Sequence, residues 1–188
     1  IWDDHDYGKN DGGFEYPLKS ESQDLFLEFW KVSKDDPRWD REGIYFSEVT
    51  EVFDHKINLI GLDTRYHRSL LGQKDKPYSP IEDTTRTILG EDQWNWLTNE
   101  LDQKTDLNII VSSIQVIPTN HGFEKWGNFP HERAKLIKLI EESEIPTILL
   151  LFTLVLVHLP YRLPELFISM RIFIMTFNNS GKKPYIRF

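Results

Sequence analysis

The chain opens with Ile1-Trp2-Asp3-Asp4-His5-Asp6-Tyr7-Gly8-Lys9-Asn10-Asp11-Gly12-Gly13, and the expected fold follows from this stretch. Three aspartates surround one histidine within four residues, and a segment rich in glycine comes directly after them. The hydrophobic Ile1 and Trp2 precede the aspartates, as they would at the end of a buried strand whose beginning has been cut off. In α/β proteins such strand ends carry functional groups, because the sheet holds the side chains and the loop exposes them. We therefore expect an α/β fold with a polar site in residues 3–13, the acidic loop.

Two kinds of chemistry suit the acidic loop, and a plain surface turn suits it equally well. Carboxylates beside an imidazole can bind a hard or borderline metal ion, or they can hold the imidazole in one tautomer for proton transfer. Acidic turns that contain a histidine are also common on solvated loops. The loop by itself therefore leaves both interpretations open.

Composition limits the class of protein. A chain of 188 residues is long enough for one domain with a sizeable core. Its net charge of −8 argues against a general nucleic-acid-binding surface, which needs clustered lysine and arginine. The chain has no cysteine, which excludes disulfides and cysteine-based zinc sites. It starts at Ile1 without a signal-peptide pattern, so we expect a fragment, and the compartment stays open.

Apolar periodicity predicts alternating helices and strands, which is typical of an α/β fold. The predicted helices cover residues 20–33, 90–103 and 130–142, and the predicted strands cover residues 44–53, 56–63, 107–112 and 147–159. In the first helix, Leu25, Phe26, Phe29 and Trp30 fall at helical spacing, which predicts a buried face. Trp94, Leu97 and Leu101 form the corresponding face of the second helix, and Leu136, Leu139 and Ile140 form that of the third.

Polar residues follow two of the predicted strands. Arg65 offers the paired donors that recognise a phosphate or a carboxylate. The simpler interpretation, which we favour from the sequence, is that Asp63 and Arg65 join their loop to its neighbours. Ser112 and Ser113 lack the surroundings of a nucleophile, so a structural role is expected. Because strand ends meet at one edge of a sheet, Asp63 and Ser112 should lie near the acidic loop.

Five blocks in the same order resemble the PhoD-like alkaline phosphatases, a branch of the calcineurin-like metallophosphoesterases. The similarity runs from Ile1 to about Glu144. The blocks are residues 2–13, 62–66, 89–97, 110–115 and 124–133. Five collinear blocks are far more specific than any one of them.

The resemblance implies a fold and an activity. The fold would be part of a metallophosphoesterase-type sandwich of mixed sheets flanked by helices. The activity would be metal-dependent hydrolysis of a phosphate monoester or diester, in which a metal-activated hydroxide attacks phosphorus. The implied cofactors are Ca²⁺ and Fe³⁺, and the implied location is extracellular or endomembrane.

The resemblance also implies roles for residues of the acidic loop. Asp4 takes the place of a metal ligand, His5 that of the catalytic histidine beside the leaving-group oxygen, and Asp6 that of the acid that orients the histidine. A carboxylate suits a hard cation, and a neighbouring acid favours the protonated imidazole that a general acid needs. Asn10 and Arg65 are the candidate contacts to the substrate.

The chain changes character near Glu144, which predicts a domain at 1–144 and a separate tail at 145–188. The first part carries a net charge of −12 and the tail one of +4. The apolar run at 147–159 is too short to cross a bilayer as a helix, although association of the tail with a membrane stays an alternative. The tail contains an Asn-X-Ser sequon at Asn178.

The tail lacks the Gly-Asp-Val-His motif that closes the site in the resembled family, and only His158 echoes it. The composition of residues 145–188 resembles a frameshift or an unspliced intron. The early ligands of the family lie on strands upstream of its central motif. We therefore expect that the chain alone neither binds two metals nor hydrolyses phosphate esters.

Two other hypotheses remain. One is a non-enzymatic protein that binds a membrane or a partner and keeps the acidic loop as a relic. The other is a simple calcium-binding module, which lacks the EF-hand spacing. Its ligands would be Asp3, Asp4, Asp6 and Asp11.

Overall fold

The computed structural model describes residues 1–73, 76–156, 168–177 and 185–187. The helices are α1 (Asp4–Tyr7), α2 (Lys19–Phe29), α3 (Gly90–Leu101) and α4 (Pro130–Glu142). The strands are β1 (Phe46–Val52), β2 (His55–Gly61), β3 (Leu107–Ser112), β4 (Thr147–Leu156), β5 (Ile168–Phe177) and β6 (Tyr185–Arg187). His158 and the sequon at Asn178 lie outside the described residues.

The described strands form one mixed sheet whose spatial order follows the chain from β1 to β6. Strands β2, β3 and β4 are parallel, and α3 and α4 lie in the two connections between them, as parallel pairing requires. The remaining neighbours are antiparallel. The predicted α/β class is confirmed, whereas the two-sheet sandwich of the resembled family stays a prediction.

A tight turn fixes the register of the β1–β2 hairpin. Val52 pairs with His55, and the two residues between them, Phe53 and Asp54, have φ angles of 48° and 63°. Two consecutive positive φ angles are the signature of a type I′ hairpin turn, whose twist matches that of the strands it joins. The hairpin therefore forms the edge of the sheet next to the parallel strands.

The larger core lies where α3 and α4 pack with the parallel strands. The predicted face of α3 is confirmed, because Trp94, Leu97 and Leu101 are buried. On α4, Leu136 and Ile140 are buried, and Leu139 packs against the cluster while partly exposed. The cluster also includes Ile60 and Leu62 from β2 and its end, Ile110 from β3, Leu149 from β4, and Trp126 and Phe129 from the segment before α4.

The predicted core face of α2 is wrong. Leu25, Phe29 and Trp30 are 66%, 77% and 64% exposed, and Leu27 is the buried leucine of this helix. The helix packs on a second, smaller cluster and not on the main core, so it needs to bury only one narrow face. That cluster consists of Trp2, Tyr7, Leu27, Ile44 and Tyr66.

A hydrogen-bonded glutamine accounts for the orientation of α2. The Gln23 amide donates at 2.7 Å to the carbonyl oxygens of both Arg38 and Arg41, and its oxygen accepts from the Gly43 amide at 2.8 Å. A buried amide left without these partners would be costly, so the helix turns Gln23 inward. A capping box between Ser20 and Gln23 would also fit the sequence, but α2 begins at Lys19 without a side-chain cap.

The start of the chain differs from the predicted strand end. Among the described strands, none includes Ile1 or Trp2, and the chain enters the single turn of α1 after Asp3. Trp2 is buried instead in the smaller cluster, where its ring meets Tyr7 and Phe26 edge-on at centroid distances of 5.1 and 5.3 Å. Aromatic packing and not strand pairing therefore fixes the beginning of the acidic loop.

The sheet continues across the proposed boundary near Glu144. Strand β4 begins at Thr147 and pairs in parallel with β3, and β5 pairs with β4 along ten residues of each strand.

Within the described ranges, no helix is long and apolar enough to cross a membrane.

Candidate active site

The acidic loop is held in shape by the carboxylate of Asp4. One oxygen accepts a hydrogen bond from the His5 amide at 2.8 Å, and the other accepts one from the Asp11 amide at 3.0 Å. Gly8 ends α1 with a φ of 108°, a conformation that glycine adopts readily. Asp4 therefore closes the loop by joining its helical turn to its glycine-rich end.

His5 presents its imidazole to solvent at the tip of this turn. Its side chain is 71% exposed, and its Nε2 atom lies 3.9 Å from Oδ1 of Asp4. The Asp6 carboxylate accepts a 3.3 Å hydrogen bond from the Asp3 amide, which closes the first turn of α1. The acid paired with the histidine in this structure is thus Asp4, and the orienting role of Asp6 stays a prediction.

Arg65 is buried between the two ends of the acidic loop. Its Nη1 atom lies 2.6 Å from Oε2 of Glu124 and donates a 3.4 Å hydrogen bond to the carbonyl oxygen of Gly12. Its Nε atom donates to Oδ1 of Asp3 at 3.1 Å, and Nη2 contacts the same oxygen. These contacts correspond to the joining role favoured from the sequence, whereas contact between Arg65 and a substrate stays a prediction.

Arg68 makes a further attachment at the glycine-rich end of the loop. Its Nε atom lies 2.8 Å from Oε1 of Glu124, and its Nη2 atom donates to the carbonyl oxygen of Asp11. The carbonyl oxygen of Arg68 accepts from the Phe14 amide at 2.8 Å. The backbone on both sides of Gly13 is therefore hydrogen-bonded to Arg68.

The charges of this cluster balance each other in a buried environment. Burial raises the pKa of Asp3, and the positive charge of Arg65 opposes the rise. Burial likewise raises the pKa of Glu124, against the opposing charges of Arg65 and Arg68. Burial alone would lower the pKa of Arg65, but Glu124 and Asp3 raise it above its usual value. Arg65 therefore stays charged and needs both acids as partners.

Asp11 anchors a second loop to the site. Its Oδ2 atom accepts hydrogen bonds of 2.9 Å from the Tyr78 hydroxyl and from the side-chain amide of Asn10, and it lies 3.1 Å from Nζ of Lys76. The structure thus places Tyr78 against the acidic loop. Asn10 is exposed, and its predicted contact with a substrate stays untested.

The segments that follow β2 and β3 meet each other. Thr64, which follows β2, and Ser113, which follows β3, have their hydroxyl oxygens 2.6 Å apart. Ser112 donates to the carbonyl oxygen of Ile114 at 2.8 Å and accepts from the Trp126 indole at 3.1 Å. The structural role predicted for the two serines is consistent with these bonds.

Sequence reasoning missed the part that Glu124 plays. It lies in one of the five blocks, yet nothing local marks it as a partner of Arg65 and Arg68. A signal was available, because two arginines three residues apart after an apolar strand need a buried acid nearby. Which acid serves depends on the path of the chain between residues 68 and 124.

The described residues do not by themselves fit a two-metal centre. In the described part of the chain, no group of three or more histidine, aspartate or glutamate side chains is placed to hold an ion. Both oxygens of Asp4 already accept backbone hydrogen bonds, although a carboxylate oxygen has a further lone pair to offer. Asp4 is therefore a single candidate ligand and not a ligand set.

Comparison with known proteins gives a family. The sequence model of the PhoD-like phosphatases matches residues 1–153. The curated relative "Alkaline phosphatase D" from Bacillus subtilis (strain 168) is 23% identical over 172 residues, which cover 80% of this chain and 29% of that protein. No solved structure matches the chain. Because the family model covers well over half of its residues, the chain belongs to the PhoD-like phosphatase family.

Proposed function

We propose that these residues are part of a hydrolase of phosphate monoesters or diesters. The observation that carries the proposal is the exposed imidazole of His5, 3.9 Å from the Asp4 carboxylate, on a loop that buried ion pairs hold from both sides. Family membership supports the reaction class, and the relative's name supports phosphatase activity. The chain spans less than a third of that relative, so substrate and partners belong to the proposal.

In the proposed reaction His5 acts as the general acid. Its imidazolium would protonate the leaving oxygen as the phosphorus–oxygen bond breaks, and the Asp4 carboxylate would pair with the cationic ring before the transfer. Exposure of the ring leaves room for a substrate to approach it. Asp6 would support the orientation of the ring, and Asn10 and Arg65 are the candidate contacts to phosphate oxygens.

Metal dependence is suggested by the family, and Ca²⁺ with Fe³⁺ is the proposed combination for the whole protein. Such ions would supply an activated hydroxide as the nucleophile. Among the described side chains only Asp4 is a candidate ligand, so we assign no metal-dependent step to the residues of this chain. For the same reason we propose that the 188 residues alone are inactive.

The alternative is a non-enzymatic protein in which the acidic loop is a relic. One observation favours it: both oxygens of Asp4 serve the backbone of the loop, as they would in a purely structural turn. An extracellular or endomembrane location, and contact of the tail with a membrane or a partner, remain proposals under either hypothesis.

Turnover assays distinguish the hypotheses. The substrates are 4-nitrophenyl phosphate and bis(4-nitrophenyl) phosphate, and the proteins are the full-length gene product that contains these residues and the 188-residue chain. We expect turnover above the buffer blank, with and without added CaCl₂, only for the full-length product. No turnover by either protein would favour the relic hypothesis, and turnover by the short chain would refute its proposed inactivity.

A further inference from the structure

One buried carboxylate lies between the two arginines that hold the acidic loop. The side chain of Glu124 is 5% exposed, and its two oxygens lie 2.6 Å from Nη1 of Arg65 and 2.8 Å from Nε of Arg68. Glu124 comes from the segment before α4, far in sequence from both arginines. Glu124 thus joins a third part of the chain to the segment that follows β2 and, through it, to the acidic loop.

Arg65 reaches both ends of the loop, and Arg68 reaches its glycine-rich end. Arg65 contacts Asp3 at its start and the Gly12 carbonyl oxygen near its finish, and Arg68 contacts the Asp11 carbonyl oxygen. A guanidinium has its donors in a rigid planar fork, so fixing one side of the fork fixes the direction of the other. Glu124 contacts both arginines as an ion pair, but Nε of Arg68 and Oε1 of Glu124 do not meet in hydrogen-bond geometry, so it is the charge of Glu124 that holds the two guanidinium groups beside the loop.

Charge makes this arrangement depend on Glu124. Two arginine cations face two carboxylates, those of Glu124 and Asp3, inside a largely buried cluster. Without the charge of Glu124, Arg65 would keep Asp3 as a partner, but Arg68 would lose the carboxylate it pairs with, and an uncompensated buried charge is strongly unfavourable. The side chains would then turn toward solvent and release the backbone of residues 11 and 12.

We propose that Glu124 is a positioning residue: through Arg65 and Arg68 it holds the acidic loop in the conformation that presents His5. This inference rests on the proposed function for its effect on turnover. Its structural part, control of the conformation of the loop, does not depend on activity.

Glu124→Gln in the full-length gene product tests the inference, and Glu132→Gln is its matched control. Glu132 is another buried glutamate, but its carboxylate accepts from the Trp94 indole at 2.9 Å and the Ile88 amide at 2.7 Å, and among the described side chains it pairs with no arginine. We expect Glu124→Gln to lower kcat about 10- to 100-fold, the scale for a misplaced catalytic group. Hydrogen exchange should speed up at the amides of residues 4–13 in this variant and not in Glu132→Gln.

A double-mutant cycle separates positioning from general loss of stability. If Glu124 acts through His5, then Glu124→Gln should lower kcat by less than about threefold in a His5→Ala background. Arg68→Lys is a second variant if Glu124→Gln fails to fold, since it keeps the charge beside Glu124 but lacks the fork that reaches Asp11. It should also speed exchange at residues 11 and 12.

Two results would overturn the inference. One is a loop exchange rate in Glu124→Gln, or in Arg68→Lys where the first variant does not fold, equal to that of the wild-type protein. The other is a full loss of kcat from Glu124→Gln in the His5→Ala background. Absence of turnover in the wild-type protein would instead refute the proposed function, and the exchange measurement would still decide whether Glu124 positions the loop.

Discussion

The indole nitrogen of Trp2 donates a 2.9 Å hydrogen bond to Oδ1 of Asp63, which joins the start of the acidic loop to the end of β2. Both residues are buried. The same carboxylate accepts hydrogen bonds from the backbone amides of Arg65 and Ile44 at 2.8 and 2.9 Å. Asp63 is thus the shared acceptor of three segments, and the adjacency of Asp63 and the acidic loop expected from the sequence is confirmed.

Replacing His5 by alanine tests its role as a general acid. We expect hydrolysis of a substrate with a poor leaving group by the full-length product to fall by about two to four orders of magnitude. Thermal stability should hardly change, because the side chain is 71% exposed. Steady-state kinetics on an alkyl phosphate and a thermal melt measure the two effects.

His55→Ala is the matched control for this variant. His55 lies at the start of β2, and its side chain is also 71% exposed. Its Nδ1 atom also lies 3.9 Å from a carboxylate, that of Asp106. Loss of an exposed histidine there should leave turnover unchanged. Full activity of His5→Ala on the alkyl phosphate would show that the assigned role is wrong.

Replacing Arg65 by methionine should destabilise the protein. The change leaves Glu124 buried with one cation fewer, and breaking a buried ion pair costs about 3–5 kcal/mol. Lys138→Met, in the exposed pair with Glu142, should cost less than about 1 kcal/mol. Urea unfolding measures both. A stable Arg65→Met protein whose only defect is a raised KM would support substrate binding and not the structural role.

Adding a methyl group at Gly13 should strain the acidic loop. A Cβ atom there would lie 2.3 Å from the carbonyl oxygen of Arg68, so the backbone must move, at a cost of about 1–3 kcal/mol. At Gly127 the nearest atom to a Cβ would be 3.4 Å away, an ordinary contact, so Gly127→Ala should change the free energy of unfolding by less than about 1 kcal/mol. Equal effects in urea unfolding would contradict the close approach of Gly13 to Arg68.

Tyr78 should make stability fall at alkaline pH. Burial and its hydrogen bond to Asp11 raise the pKa of Tyr78 to about 12, from 10.0 in the absence of the fold. The folded state therefore holds the proton more tightly, so this contribution is complete below about pH 10 and is lost as the pH rises toward 12.

The variant Tyr78→Phe lacks this titration. At pH 8 it should be less stable than the wild-type protein by about 1 kcal/mol, the value of one hydrogen bond. Between about pH 9 and pH 11.5 the stability of the wild-type protein should fall by about 1–2 kcal/mol relative to the variant, so the difference should vanish or change sign, because only the wild-type protein loses the contribution. Urea unfolding across this range measures the difference in the free energy of unfolding. A constant difference would show that the fold does not raise the pKa of Tyr78.

The buried faces of helices α3 and α4 were predictable because the apolar residues that pack in the core recur at helical spacing within each helix. Trp94, Leu97 and Leu101 recur at helical spacing and face the sheet, and Pro130 suits the first turn of α4. Helix α2 also shows an apolar pattern and is present, but the buried face predicted from that pattern is wrong. Its orientation depends on Gln23, whose hydrogen-bond partners lie 15 to 20 residues away.

The sequence by itself determined the α/β class, the helices α3 and α4 with strands before and after them, and the membership in the PhoD-like family, because these depend on local periodicity and on collinear blocks. Only the tertiary structure decided the partners of Arg65 and Arg68 and the burial of Glu124 between them. From the sequence one can expect that a buried arginine needs an acidic partner, but one cannot tell which acidic residue that partner is. The choice is made when the strand ends and the segment before α4 are brought together, and a buried charge accepts only a partner within contact distance.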